Sequence, residues 1–233
     1  MDLAVILAGA GEGRRMGALG PKLLLEVGGR PALHRVIDTF LEVEAVGEIA
    51  VVVPPALLLE AERAASSRPN PRRARIAISP GGETRRDSVR IGIESLTRSL
   101  SFIAVHDVAR VLVSRALIER VLRAARSGGA AIPACPIRDT VKEVAAGRVL
   151  RSIARERLLA AQTPQIFARD ILARAHALAR EPHAEATDDA MLVERLGSDI
   201  AVVPGEPSNL KLTEPGDLVV LEAWLKAGQE SEG

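Results

Sequence analysis

Short apolar runs alternate along this 233-residue chain with longer stretches in which apolar side chains recur at helical spacing. Ala4-Val5-Ile6-Leu7 reads as a buried parallel strand, because an unbroken apolar run leaves neither face for water. From Pro31 to Val43, Leu33, Val36, Ile37, Phe40 and Leu41 share one helical stripe, with Pro31 suited to the first turn. The alternation continues with a strand at Ile49–Val53, a helix at Ala56–Ala65, a strand at Arg75–Ser79 and a helix from Asp87 to about Ser99. A strand at Phe102–Val105 ends in His106-Asp107, and a helix at Ser114–Ser127 and a strand at Ala130–Ala134 follow. This rhythm predicts an α/β fold, a Rossmann-like and mostly parallel sheet with helices on both faces. Ligands in such sheets bind at the carboxyl ends of strands, where this chain puts Gly9, Gly81-Gly82 and His106-Asp107.

The rhythm breaks between Arg138 and Ala154. Val141, Glu143 and Val144 lead to Ala145-Ala146-Gly147 and then to Val149–Ile153, which reads as a hairpin. No helical pattern flanks it, so it is expected to project as an arm, at about 138–156, from a single domain covering 1–233. Helices return at Ala168–Ala179 and Asp188–Leu196. A strand at Ile200–Val203, the segment Asn209–Thr213 and a helix at Glu214–Ala227 complete the chain, Thr213 and Pro215 marking the start of that helix.

Chemistry concentrates in the segment Ala4 to Lys22. The first strand empties into glycines at 9, 11 and 13, followed by Arg14-Arg15 and Pro21-Lys22. Glycines let backbone N–H groups approach a ligand closely, and cations crowded among them suit a polyphosphate. Two familiar phosphate loops fail. The dinucleotide fingerprint G-x-G-x-x-G lacks its third glycine in both registers, and the second strand ends in Pro54-Pro55 without an acidic residue for a ribose. A P-loop needs G-K-[ST], whereas Lys22 stands between Pro21 and Leu23.

Composition narrows the field further. Net charge is +1, and three Phe, one Trp and no Tyr offer no stacking platform, so nucleic acid is not an expected partner. No apolar run is long enough to span a membrane, and Asp2 beside a short apolar run does not read as a signal peptide, so a cytoplasmic protein is expected. Cys135 stands alone, which precludes an internal disulfide and is read as an inert core thiol. Of 31 basic residues only Lys22, Lys142, Lys211 and Lys226 are lysines, which draws attention to Lys22 and Lys211 as sites wanting a compact ammonium. The four histidines show no zinc-ligand spacing, and His176 is read as sitting on a solvated helix face. Asp107, at a strand end, is the candidate for Mg²⁺ or a ribose hydroxyl. Arg15, Lys22 and Lys211 would supply the charge that nucleotidyl transfer to a phosphate demands, each removal costing about 2–4 kcal/mol.

Eight segments together resemble a known family. They are Ala8-Gly9-Ala10-Gly11-Glu12-Gly13-Arg14-Arg15-Met16, Pro21-Lys22, Gly81-Gly82-Glu83-x-Arg85-x-Asp87-Ser88-Val89, His106-Asp107-x-Ala109-Arg110, Arg138-Asp139-Thr140, Thr163-Pro164-Gln165, Thr187-Asp188-Asp189-Ala190 and Asn209-x-Lys211-x-Thr213. In this order, from about residue 3 to 226, they resemble the 2-C-methyl-D-erythritol 4-phosphate cytidylyltransferases of the non-mevalonate isoprenoid pathway. The resemblance implies that Ala8, Gly9, Ala10, Gly11 and Gly13 wrap CTP, with Arg15 and Lys22 on its phosphates and the transition state. It places Gly82, Glu83 and Ser88 in a narrow cytosine and ribose pocket, Asp107 near ribose or Mg²⁺, and Lys211 near the α-phosphate. It also implies a homodimer that exchanges arms, so that Thr140 and Arg155 reach the polyol phosphate in the partner's site while Arg110 helps bind it. Arg157 competes with Arg155 for that role.

The chain departs from the family pattern at Val108 and Val111, which stand where alanine and proline are usual, at Ala154, where aspartate commonly precedes the arm arginine, and at Ser208, where an acidic residue can precede the asparagine. A ribitol 5-phosphate cytidylyltransferase is the rival reading, and a nucleotide-binding regulator without turnover is a third.

Overall fold

The computed structural model describes residues 1–11, 21–66, 69–70, 73–179 and 186–230. The chain opens with β1 (Leu3–Ala8), the small pair β2 (Glu26–Val27) and β3 (Arg30–Pro31), α1 (Ala32–Glu42), β4 (Val46–Val53), α2 (Leu58–Ser66) and β5 (Arg75–Pro80). It continues through α3 (Arg85–Ser95), β6 (Phe102–Asp107), α4 (Arg115–Gly128), β7 (Ala130–Pro136) and the hairpin β8 (Val141–Ala145) and β9 (Arg148–Ile153). Then follow β10 (Leu159–Ala161), β11 (Gln165–Ala168), α5 (Arg169–Leu178), α6 (Asp189–Glu194), β12 (Ala201–Pro204) and α7 (Pro215–Glu230).

Strand β1 pairs in parallel with β4 on one side and β6 on the other, and β5 extends the sheet in parallel beyond β4. The alternation of side chains along β1 explains the two-faced core. Leu3, Val5 and Leu7 join a cluster with Val36, Ile37 and Phe40 of α1 and Leu117, Ile118 and Val121 of α4. Ala4 and Ile6 point the other way, into a cluster with Val89 of α3, Leu172 of α5 and Leu192 and Val193 of α6. Helices therefore cover both faces, as the apolar rhythm predicts.

One strand is invisible in that rhythm. Between β6 and β7 lies β11, antiparallel to both, and β10 continues along the same edge of β7. The four residues Gln165-Ile166-Phe167-Ala168 are too few to announce a period, and the sequence pattern runs the following helix back to Ala168 instead. The other edge of β7 takes β12 in parallel.

The hairpin forms where expected. Val144, Val149 and Leu150 are all more than 60% exposed, consistent with a projecting arm. Ala145 pairs with Arg148, and the two residues between them, Ala146 and Gly147, have φ of 46° and 74°. Positive φ at both central positions is the mirror-image turn that matches the twist of a two-residue hairpin.

At the end of the sheet remote from the glycine turns, Glu48 of β4 is fully buried. Its carboxylate accepts from the backbone N–H of Thr97 (3.0 Å) and Arg98 (2.9 Å), from the Thr97 hydroxyl (3.0 Å) and from Arg75 (2.6 Å). Burial pushes the acid's pKa up, but these donors more than offset it, and the net shift is downward. Glu48→Ala removes the acceptor and strands two backbone donors, an expected loss of about 2–4 kcal/mol measurable by urea unfolding. Because the folded pKa is the lower one, this contribution is present above the ordinary glutamate range and is lost as the pH falls through the folded value.

Candidate active site

Separate segments converge at the carboxyl ends of β1 and β6. Ala8 and Asp107, the last residues of these strands, are register partners. Gly9, Ala10 and Gly11 continue from β1, the turn after β5 carries Gly82 and Glu83, and Lys211 enters from the segment before α7. With Lys22, Arg85 and Ser88 they line a cleft of about 460 Å³. Two turns touch across it: a Cβ on Gly81 would lie 2.3 Å from that of Ala10, so only glycine permits the contact. Helix α3 begins at the cleft. Thr84 caps it by accepting from Asp87 N–H, while the Ser88 hydroxyl accepts from Gly82 N–H (3.2 Å) and donates to the Thr84 carbonyl (3.0 Å). Its amino end thus presents a fixed positive dipole to the cleft.

Asp107 is the charge at the centre, and only 8% of the residue is exposed. Lys211 Nζ donates to its Oδ2 at 2.6 Å, and Arg85 approaches Oδ1 at 3.4 Å through both Nε and Nη2. Burial pushes this acid's pKa up, yet Arg85 and Lys211 outweigh it and hold the group at about 2. Arg85 is itself anchored, its Nη1 donating to Asp189 at 2.7 Å. Asp189 is 1% exposed and also accepts from His176 Nε2 at 2.9 Å.

His106 fixes the backbone of the same strand end. A carbonyl can only accept, so the ring donates from Nε2 to Arg110 O (3.2 Å), which leaves Nδ1 to accept from the Thr163 hydroxyl (3.0 Å). The Thr163 oxygen in turn accepts from Asp107 N–H (3.1 Å), and Asn209 Nδ2 donates to the Thr163 carbonyl (2.8 Å). Lys22 ties the far side, donating to the carbonyls of Leu212 (2.8 Å) and Thr213 (3.3 Å).

The chain's relationships agree with this geometry. A model of the 2-C-methyl-D-erythritol 4-phosphate cytidylyltransferase family matches residues 3–227. The chain belongs to that family. A member from Carboxydothermus hydrogenoformans is 42% identical over 221 residues, covering 94% of each chain. The Thermus thermophilus enzyme is 40% identical over 226 residues, covering 97% of this chain and 98% of its own. A crystal structure of the enzyme from that organism superposes with a TM-score of 0.78 at 37% identity, over 97% of this chain and 100% of that one. The 4-diphosphocytidyl-2C-methyl-D-erythritol synthase of Anaerococcus prevotii reaches a TM-score of 0.83 at 27% identity, covering 96% and 98%.

Of the residues the family pattern points to, Ala8, Gly9, Ala10, Gly11, Lys22, Gly82, Glu83, Ser88, Asp107 and Lys211 share the cleft. Gly13 and Arg15 lie outside the described residues. Arg110 is not among the lining residues; its guanidinium donates to the carbonyls of Asn209 (2.8 Å) and Ala161 (3.2 Å). Thr140 and Arg155 are exposed, outside this chain's own cleft, with Arg155 bonded to the Arg138 carbonyl. Val108 and Val111, the departures from the family pattern, are both buried, Val108 against Gly9 and Val111 in a cluster with Leu212 and Leu221.

Two expectations need correction. His176 is not on a solvated face; α6 folds over α5, and the ring is 5% exposed against Asp189. Cys135 is not a core thiol but half-buried near the end of β7. Sequence alone also assigns no role to Arg85, Asp189 or Thr163. All three lie in segments that match the family, but nothing in the spacing of residues 85, 107, 176 and 189 signals that they meet.

His106 yields a prediction. Burial lowers its pKa to about 4, outweighing the neighbouring Asp107, which acts in the opposite direction. Protons therefore bind the unfolded chain first. The stability tied to a neutral His106 is complete above the ordinary histidine pKa and is lost as the pH falls toward 4, by roughly 3 kcal/mol at most. Urea unfolding between about pH 7 and 4.5 should show this slope in the wild type and a shallower one in His106→Gln.

Proposed function

We propose that this chain transfers CMP from CTP to 2-C-methyl-D-erythritol 4-phosphate and releases pyrophosphate. The observation that carries the reading is that Lys22 and Lys211, remote in sequence, meet in one cleft beside backbone turns packed as closely as glycine allows. The acceptor phosphate oxygen attacks the α-phosphorus of CTP in line with the departing pyrophosphate, so no protein nucleophile is needed. The chain's task is to align two anions that repel one another and to offset the charge that builds up between them. Lys211 is assigned to the α-phosphate and the approaching acceptor, Lys22 to the triphosphate with Arg15, and Gly82, Glu83 and Ser88 to the cytidine. The ribitol 5-phosphate reading is not favoured, since the family model and the relatives alike carry the methylerythritol name.

A divalent metal fits as a companion of the nucleotide. Among the described residues, the carboxylates lining the cleft are those of Glu83 and Asp107, and no group of ligands is able to hold a metal by itself. Mg²⁺ commonly takes one or two carboxylates together with substrate phosphates and water. Asp107 would supply that carboxylate, and the ion would offset charge on the pyrophosphate. Thr140, Arg155 and Arg110 are assigned to the acceptor, with Thr140 and Arg155 delivered by the exposed arm into the site of a second copy. We place the reaction in the cytoplasm; among the described residues no helix is long and apolar enough to cross a membrane.

The direct test is pyrophosphate release with CTP, run with methylerythritol phosphate and with ribitol phosphate as acceptors and repeated with ATP, GTP and UTP. Turnover is expected only with CTP and the methylerythritol acceptor, and silence with that acceptor would sink the assignment. Lys22→Ala and Lys211→Ala should each cost about 2–4 kcal/mol of transition-state stabilisation, read from kcat/KM. Arm exchange predicts complementation. Mixing Lys211→Ala with Arg155→Ala should restore activity, because one site of each mixed dimer then holds both intact groups. No recovery after verified subunit exchange would contradict it.

A further inference from the structure

Resting on the reading of the cleft as a CTP site, we propose a positioning role for Arg85: it compensates the buried Asp107 carboxylate so that Lys211 can leave that partner for the phosphates of CTP.

Lys211 is committed to Asp107 at 2.6 Å, yet its side chain is 41% exposed on a flexible stem and belongs to a segment with no regular secondary structure. An ammonium has three donors, and as its charge is drawn toward a phosphate it compensates the carboxylate less. Asp107 is nearly buried, and stripping a buried carboxylate of its counter-charge is costly. Arg85 is placed to prevent that. Two of its nitrogens face Asp107 Oδ1 at 3.4 Å, long enough to tighten, while the third holds Asp189 at 2.7 Å. A guanidinium fork can bridge two carboxylates in this way, whereas a lysine offers one point charge.

The anchor behind Arg85 is rigid. Asp189 is 1% exposed and is held from its other side by His176. The start of α6 is pinned in turn: Gln165 donates to Asp188 at 2.7 Å and accepts from Ala190 N–H at 3.0 Å. Arg85 therefore stays in place when Lys211 moves. Its effect passes through Asp107, which distinguishes it from a residue that merely packs α3 onto the sheet.

A double-mutant cycle in CTP affinity decides between these roles. Titration calorimetry with CTP is run in EDTA, so that no ion takes the place of Arg85 at the Asp107 carboxylate, on the wild type, Arg85→Gln, Asp107→Asn and the double variant. Arg85→Gln should weaken binding at least about five-fold, and the same change in the Asp107→Asn background should weaken it less than about two-fold, since the charge to be compensated is gone. An equal loss in both backgrounds, or a wild-type affinity for Arg85→Gln, overturns the proposal. Should Arg85→Gln alone fail to fold because Asp189 is left charged and buried, the cycle is run with Arg85→Gln/Asp189→Asn, which keeps the interior neutral. Binding is read apart from turnover. A protein that binds CTP without using methylerythritol phosphate would refute the acceptor assignment while this cycle still gives its answer.

Discussion

The Asp107 carboxylate stands at the carboxyl end of β6, almost out of water, and cations brought to it from elsewhere in the chain outweigh its burial and hold it below the ordinary carboxylate range. Arg85 comes from the first turn of α3 and Lys211 from the segment preceding α7. Each carries its own backbone with it. The α3 turn brings Gly82, Glu83 and Ser88, and the 209–213 segment brings the carbonyls that hold Lys22. A single electrostatic requirement thus gathers the walls of the cleft. The hydrophobic clusters on the two faces of the sheet bring these elements close, but being non-directional they do not fix which side chains meet.

The same economy appears in the neutral hydrogen bonds behind the charges. Thr163 accepts from the Asp107 backbone, donates to His106 and receives Asn209 on its carbonyl. Arg110 then donates to the Asn209 carbonyl. Protonating His106 would replace its acceptor nitrogen with a donor facing a hydroxyl that already donates to it, and burial resists that change.

Much of this is legible in the sequence. Uninterrupted apolar runs identify the parallel strands, and helical stripes such as Leu33 to Leu41 identify the covering helices, because burial on two faces or on one stripe imposes those periods. The glycines at 9, 11, 81 and 82 and the lysines at 22 and 211 mark the cleft, since backbone approach and compact charge need particular residue types. What escapes are features set by tertiary neighbours. β11 is only four residues long and owes its existence to the strands on either side of it. His176 looks solvated on its own helix and is covered only once α6 packs over it. Arg85 carries no assigned role in the sequence until Asp107 and Asp189, 22 and 104 residues away, arrive on either side of its guanidinium.

The central claim is that charge compensation at Asp107 frees Lys211 for the nucleotide. It is tested most directly by a crystal structure with CTP bound in the absence of divalent metal. Lys211 Nζ should lie on a phosphate oxygen of CTP, with Arg85 drawn closer than 3.4 Å to Asp107 and still holding Asp189. Lys211 remaining on Asp107 while the phosphates bind elsewhere, or Arg85 abandoning Asp107 for the nucleotide, would contradict it.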